Sequence, residues 1–320
     1  MRDGAVDAGL LATLAQPPHT LGVLQQLGAL GRAAGGQHGG QHDGQGLGVH
    51  ICTGPVFVRG AEPGDILEVR ILDVVMRPSA NPKFCGCCFG SNAAANWGFH
   101  YNDFLDGDKR EVVTIYELDA TGQRNWARAL YSFRWPTVVD PFGKAHPTID
   151  YPGLPVDHAR TERKWDVLKD VRVPVRPHFG VMGTAPREAD DVNSVPPSYT
   201  GGNIDNWRIG KGASVFYPVA VPGALFSVGD GHAVQGNGEV GMSALETSLQ
   251  GEIQVILHKG MRITWPRAET PTHYVTMGLH EDLDIALAVE GADIADIGVV
   301  VDEMHDVGGF GPAHALQVNR

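Results

Sequence analysis

The residues best suited to chemistry fall in one short run, Gly229-Asp230-Gly231-His232-Ala233-Val234-Gln235-Gly236-Asn237-Gly238-Glu239-Val240. It gathers Asp230, His232, Gln235 and Glu239 and separates them with glycines. Carboxylate and imidazole are the usual ligands of a divalent metal, and a carboxylate also serves as general acid or base. Glycine admits a positive φ and close backbone approach, so the chain can bend several polar side chains toward one point. The apolar run Ala224-Leu225-Phe226-Ser227-Val228 before it reads as a buried strand. Asp230 and His232 are then expected where that strand gives way to a loop, a common setting for catalytic groups. The competing reading is a Gly-rich turn whose Asp hydrogen-bonds its own backbone, because D-x-H is short and common.

Strands must position such a site. Ile66-Leu67-Glu68-Val69-Arg70-Ile71-Leu72-Asp73-Val74 alternates apolar and polar residues and is the clearest strand of the chain. Glu111–Leu118 is rich in β-branched residues and Ala127–Trp135 alternates again, so the two are expected to pair through a turn at 119–122. Residues 136–170 read as a long surface excursion. Gly 42 and Pro 21 in 320 residues favour many turns and short strands over long helices. Hydrophobic residues at 42% allow a sizeable core. The expected architecture is α+β but mainly β, with two sandwich-like layers carrying the site between them. From the open strand edges a homo-oligomer is expected.

A net charge of -12 argues against a nucleic-acid partner. No apolar run is long enough to span a bilayer, and no apolar segment with a cleavage site follows the first Arg. Four cysteines in so long a chain suggest no disulfide scaffold, so a reducing cytoplasm is the expected setting. Residues 1–48 are dominated by Gly, Gln, Ala and His and carry too little bulky apolar surface to fold alone. An upstream frame error is one hypothesis for them, testable by mass spectrometry of the first peptides. His38 and His42 form a His-rich tract, a weak and unselective metal binder.

Several ordered motifs accompany the organising run: Thr53-Gly54-Pro55, Gly60-Ala61-Glu62-Pro63-Gly64-Asp65, Arg176-Pro177-His178-Phe179-Gly180, Gly201-Gly202-Asn203-Ile204-Asp205, Ala244-Leu245-Glu246-Thr247 and Pro266–Tyr274. Together with 229–240 they resemble the acetamidase/formamidase family between about residues 46 and 286. The resemblance implies a catalytic region at 49–286 with that family's β-sandwich layers and a smaller α/β part, flanked by atypical segments at 1–48 and 287–320. It implies hydrolysis of formamide- or acetamide-like substrates to carboxylate and ammonia. It also implies that His50, just before Thr53-Gly54-Pro55, is a metal ligand.

Side-chain chemistry suggests the division of labour. Amide hydrolysis needs a strong nucleophile, a stabilised oxyanion and a proton for the leaving amine. His50, Asp230 and His232 are expected to hold a divalent metal, zinc first and calcium second. Glu239 is expected to take a proton from water and return it to the departing ammonia, with Asp230 as a second catalytic carboxylate. Asn203, Asp205, His178 and Gln235 are expected at the substrate, His178 from a loop. Glu246 is expected on an exposed strand face, and His100 is a secondary candidate. Two rival readings stand beside this: a cysteine amidase using Cys85, Cys87 or Cys88, and a non-catalytic β-sandwich that binds a metal or small ligand.

Overall fold

The structure, a computed structural model, describes residues 50, 52–79, 82–94, 111–119, 125–139, 143–147, 156, 160–188, 192, 194, 196–236, 239 and 241–279, with strands at 5–7, 11–15, 303–307 and 313–319. The chain is mainly β, as expected, and no α-helix occurs among the described residues; a 3-10 turn spans Pro82–Phe84.

Two large sheets make the frame. The eight-stranded sheet runs Leu11–Ala15, Leu249–His258, Ile66–Met76, Ser214–Pro218, Arg267–Glu269, His273–Leu279, Ala313–Asn319, Glu303–Val307. Its backbone is Ile66–Met76, read correctly from its alternation, which pairs antiparallel with Leu249–His258 from Leu249↔Met76 to His258↔Ile66. The eleven-stranded sheet carries the expected hairpin: Val112–Leu118 pairs antiparallel with Trp126–Arg134. The 136–170 excursion contains short strands at Val138–Val139, Ala145–His146 and Arg163–Trp165, the last at the sheet's edge.

One core joins the sheets. Leu67, Val69, Val215, Tyr217, Leu249 and Val255 of the eight-stranded sheet cluster with Phe179, Met182, Phe226 and Val228 of the other. Each large apolar side chain buried this way contributes about 1.5–3 kcal/mol. The sheets approach closely where Gly251 faces Phe179: a Cβ there would stand 2.7 Å from the ring's Cε2.

The strand that positions the site is Phe226–Val234, and it has partners along both edges. On one edge His178–Gly183 runs beside it, pairing His178↔His232 and Val181↔Gly229. The other edge is shared: Cys52–Arg59 takes the first half, with Cys52↔Gly229, and Leu245–Thr247 takes the second, with His232↔Glu246. This arrangement brings residues far apart in sequence to the middle of a single strand.

Candidate active site

The Phe226–Val234 strand does not end before Asp230, as the sequence suggests; it carries both Asp230 and His232 within it. The glycines beside them do not supply the left-handed backbone. Asp230 does so itself, at φ 54. Asp tolerates this region better than most residues. The strand's alternation changes phase there, since Phe226 and Val228 join the core before it and Ala233 after it. Asp205 at φ 51 and Glu239 at φ 42 share the same conformation. Three acids of one site thus sit in sparsely populated backbone, a pattern that clusters at functional sites.

Around this strand the neighbours close in. Cys52 pairs with Gly229, so His50, two residues earlier, runs toward Asp230, and its Nε2 lies 3.8 Å from Asp230 Oδ2. His50 Nδ1 is fixed by Ser194 Oγ at 2.8 Å. His232 Nε2 stands 3.3 Å from Asp230 Oδ2 and 3.4 Å from Glu246 Oε2, close but not aligned for a hydrogen bond to either. His232 Nδ1 lies 4.0 Å from Asp205 Oδ1. The strand pairing therefore brings the expected ligands His50 and His232 each beside Asp230, though His50 stands outside the tighter groups of donor atoms around His232. It also brings a residue expected on an exposed face: Glu246 is largely buried and looks straight at His232.

Gly180 leaves the space in which these groups meet. It faces Asp230 from the neighbouring strand, and its carbonyl accepts the backbone N–H of Asp205 at 3.2 Å. A Cβ on Gly180 would lie 2.6 Å from each of Asp205 Oδ1, Asp230 Oδ2 and His232 Cε1.

His178 lies in a strand rather than a loop and is fully buried. Its Nδ1 bonds the Arg176 carbonyl at 2.8 Å, and its Nε2 meets Gln235 Oε1 at 2.9 Å and His232 Nδ1 at 3.3 Å. Gln235 in turn donates from Nε2 to Glu239 Oε2 at 2.9 Å. His178 and Gln235, expected at the substrate, are thus engaged with protein neighbours. They link the imidazoles to the acids and hold them in place.

Burial sets the electrostatics. It pushes the Glu246 carboxyl up to about 8, with the charges of Asp230 and Glu239 adding to it and His232 opposing. Glu239 is raised by burial and by Asp230, against the pull of His232. Asp205 is raised by burial first and then by Glu239. Burial would lower His232, but Glu246 and Asp230 outweigh it and hold the imidazole well above its usual range. His178 falls to about 4 through burial and the nearby His232, and burial also lowers His50. Packed acids facing one another cannot all ionise without a proton or a cation among them.

The donor set suits a divalent cation. Asp205, Asp230 and His232 offer ligand atoms within 4.8 Å of one another, as do His232, Glu239 and Glu246. Asp205 Oδ1 and Glu246 Oε2 are buried with no hydrogen-bond partner among the described residues. An orphaned buried oxygen is costly, and a cation held in either group of donors would satisfy the one it contains.

The cysteine turn is a poor alternative centre. Cys85 is exposed, and the Cys88 thiol is pushed up to about 12 by burial, then by Cys87 and Asp119, the reverse of an activated nucleophile. Cys88 lies three residues before Ser91, which pairs with Glu246, or about 10 Å along the strand. His38, His42 and His100 lie outside the described residues.

Comparison with known proteins shows what the chain is similar to. The model of the acetamidase/formamidase family matches residues 46–192 and 187–298. An acetamidase of Mycolicibacterium smegmatis is 32% identical over 239 residues, covering 69% of this chain and 57% of that protein. A formamidase of Methylophilus methylotrophus is 29% identical over 207 residues, covering 60% of this chain and 47% of that protein. The chain thus spans about half the length of the curated relatives it matches. Among solved structures, an acetamidase of Bacillus halodurans shares the fold, with TM-score 0.64 and 19% identity over 98% of this chain and 90% of that one.

Proposed function

The chain belongs to the acetamidase/formamidase family, and from that premise we propose that its buried acid–imidazole site hydrolyses short aliphatic amides to carboxylate and ammonia. The observation that carries the reading is the meeting of His50, His232, Asp230 and Glu246 around orphaned carboxylate oxygens. His50, Asp230 and His232 would hold a divalent cation, with Glu246 beside them. Mixed imidazole and carboxylate donors favour zinc, and the excess of oxygen also admits calcium. Such a cation, when bound, lowers the pKa of water and polarises a carbonyl.

The chain's own groups do the rest. Glu239 accepts a hydrogen bond from Gln235 and lies near Asp205, and burial with the neighbouring acid charges holds both carboxyls above their ordinary range, so Glu239 can accept a proton and later give it up. In this reading Glu239 takes the proton of the attacking water and delivers it to the leaving nitrogen. Asp230 keeps His50 and His232 facing the reacting centre. Asn203, buried beside Asp205, orients the substrate amide. Gln235 and His178 fix the positions of Glu239 and His232.

A cytoplasmic homo-oligomer belongs to the same reading. The oligomer is supported by exposed Trp165, Leu168 and Val171 beside the edge strand Arg163–Trp165, and sedimentation of the purified chain would test it. The function itself is tested by ammonia release from formamide, acetamide and propionamide. Turnover of at least one is expected, and no release from any would refute the proposal.

A further inference from the structure

Behind Glu246 lies a side chain to which the sequence assigns no catalytic or binding role. Asn92, on the strand Cys88–Ala94, donates both hydrogens of its Nδ2 to successive carbonyls, Ser243 at 3.0 Å and Ala244 at 2.9 Å. The Ser243 carbonyl belongs to the same peptide unit as the Ala244 N–H. In a planar trans peptide these two groups point in opposite directions. Holding the oxygen toward Asn92 therefore aims the N–H the other way, and there it donates to Glu246 Oε1 at 3.0 Å.

We propose that Asn92 is a positioning residue that pins the Ser243–Ala244 peptide with its N–H turned toward Glu246. Were this peptide to flip, its carbonyl oxygen would face the Glu246 carboxyl and repel it. With the peptide pinned, Glu246 Oε1 is occupied and Oε2 is left to face His232. The surroundings are built for this. Regular pairing runs through Glu246↔Ser91 and Thr247↔Gly90. Beyond it side chains take over the bonding: Ala93 N–H donates to Ser243 Oγ at 3.1 Å, and Ser243 Oγ donates to the Ala244 carbonyl at 3.2 Å. Thr247 Oγ1 donates to the Phe89 carbonyl at 2.8 Å from the other side. Met242, at φ 57, turns the chain into this segment. The hydrogen bond from a neutral amide to the carbonyl also polarises the peptide, which strengthens the donation by its N–H.

The proposal rests on the reading of Glu246 as a working group of the site, and its test separates the two. Asn92→Asp is nearly isosteric, but an ionised carboxylate can only accept hydrogen bonds. On acetamide its kcat is expected to fall about 10- to 100-fold, the usual cost of losing an outer-shell partner. KM should stay within about twofold and the thermal midpoint should hold, since a positioning residue acts on the reacting groups. Its crystal structure should show the Ser243–Ala244 peptide turned with its N–H toward the new carboxylate. Asn92→Ser keeps one donor and should fall between Asn92→Asp and wild type. If Asn92→Asp does not fold, Asn92→Ser decides, a fall in kcat without a fall in midpoint supporting the role. A wild-type kcat in either folded variant, or a loss of activity matching the loss of folded protein, overturns it. If wild type releases ammonia from no amide, the functional reading falls, and the peptide's orientation in the variant crystal still decides the role of Asn92.

Discussion

At the scale of the residue, the site depends on what is missing from Gly180 as much as on what its neighbours carry. A Cβ there would enter the space shared by Asp205, Asp230 and His232 at 2.6 Å from each. Those side chains would have to shift, while the backbone around them could stay. Gly180→Ala should therefore cost about 100-fold or more in kcat/KM, since misplacement by about 1 Å is worth that much, with a fold intact by far-UV circular dichroism. Wild-type activity in that variant would mean the reacting groups lie elsewhere. Glu239→Gln should keep bound metal but lose at least about 100-fold in kcat, the usual share of general acid–base catalysis; steady-state rates beside elemental analysis check both halves. Much at this scale was legible. Asp230, His232 and Glu239 stood out because carboxylate and imidazole sit close together among glycines. Glu246 was not, because an acid on a short strand reads the same whether it faces solvent or a buried imidazole. Only the pairing His232↔Glu246 tells these apart.

At the scale of the element, alternation in Ile66–Met76 and the β-branched run of Val112–Leu118 gave those strands directly. The organising strand was harder. Its glycines suggested a loop, yet partners on both edges hold Phe226–Val234 extended through His232. Glycine weakens a strand taken alone, and tertiary pairing overrode that local preference. Two stability predictions belong here. Tyr217 is fully buried, and its hydroxyl has no hydrogen-bond partner among the described residues. Tyr217→Phe removes that unmet group, so the variant should gain about 1 kcal/mol and melt about 2 °C higher; a lower midpoint would show that the hydroxyl is satisfied. Glu68, on Ile66–Met76, bonds Arg70 and His258 Nε2, the latter at 2.7 Å. Burial pushes its carboxyl up, but the bonds and charges of Arg70 and His258 outweigh this and hold it below its ordinary value. A carboxyl lowered on folding stabilises the protein above its unfolded pKa, and that contribution is lost as pH falls through the folded one. Glu68→Gln should thus destabilise at pH 7, with the difference shrinking below about pH 4. A difference independent of pH in urea melts would contradict the assignment.

At the scale of the whole molecule, two sheets share one core, and the site lies at the middle of a strand within one of them. The mainly β layers were readable from glycine, proline and alternation, and the family from motifs spread in order along the chain. The convergence of those motifs was not readable, because their spacing in sequence says nothing of which edge of which strand each will occupy. Residues 178–183, 52–59 and 245–247 meet only through their pairing with 226–234. The central claim is that this convergence makes a cation-dependent amide hydrolase. It is tested most directly by ammonia release from acetamide by chelator-stripped protein titrated with zinc. The account predicts a rate near background that climbs to saturation at a fixed stoichiometry in wild type and stays low in His232→Ala. A full rate in stripped protein, with no metal found by elemental analysis, would contradict it.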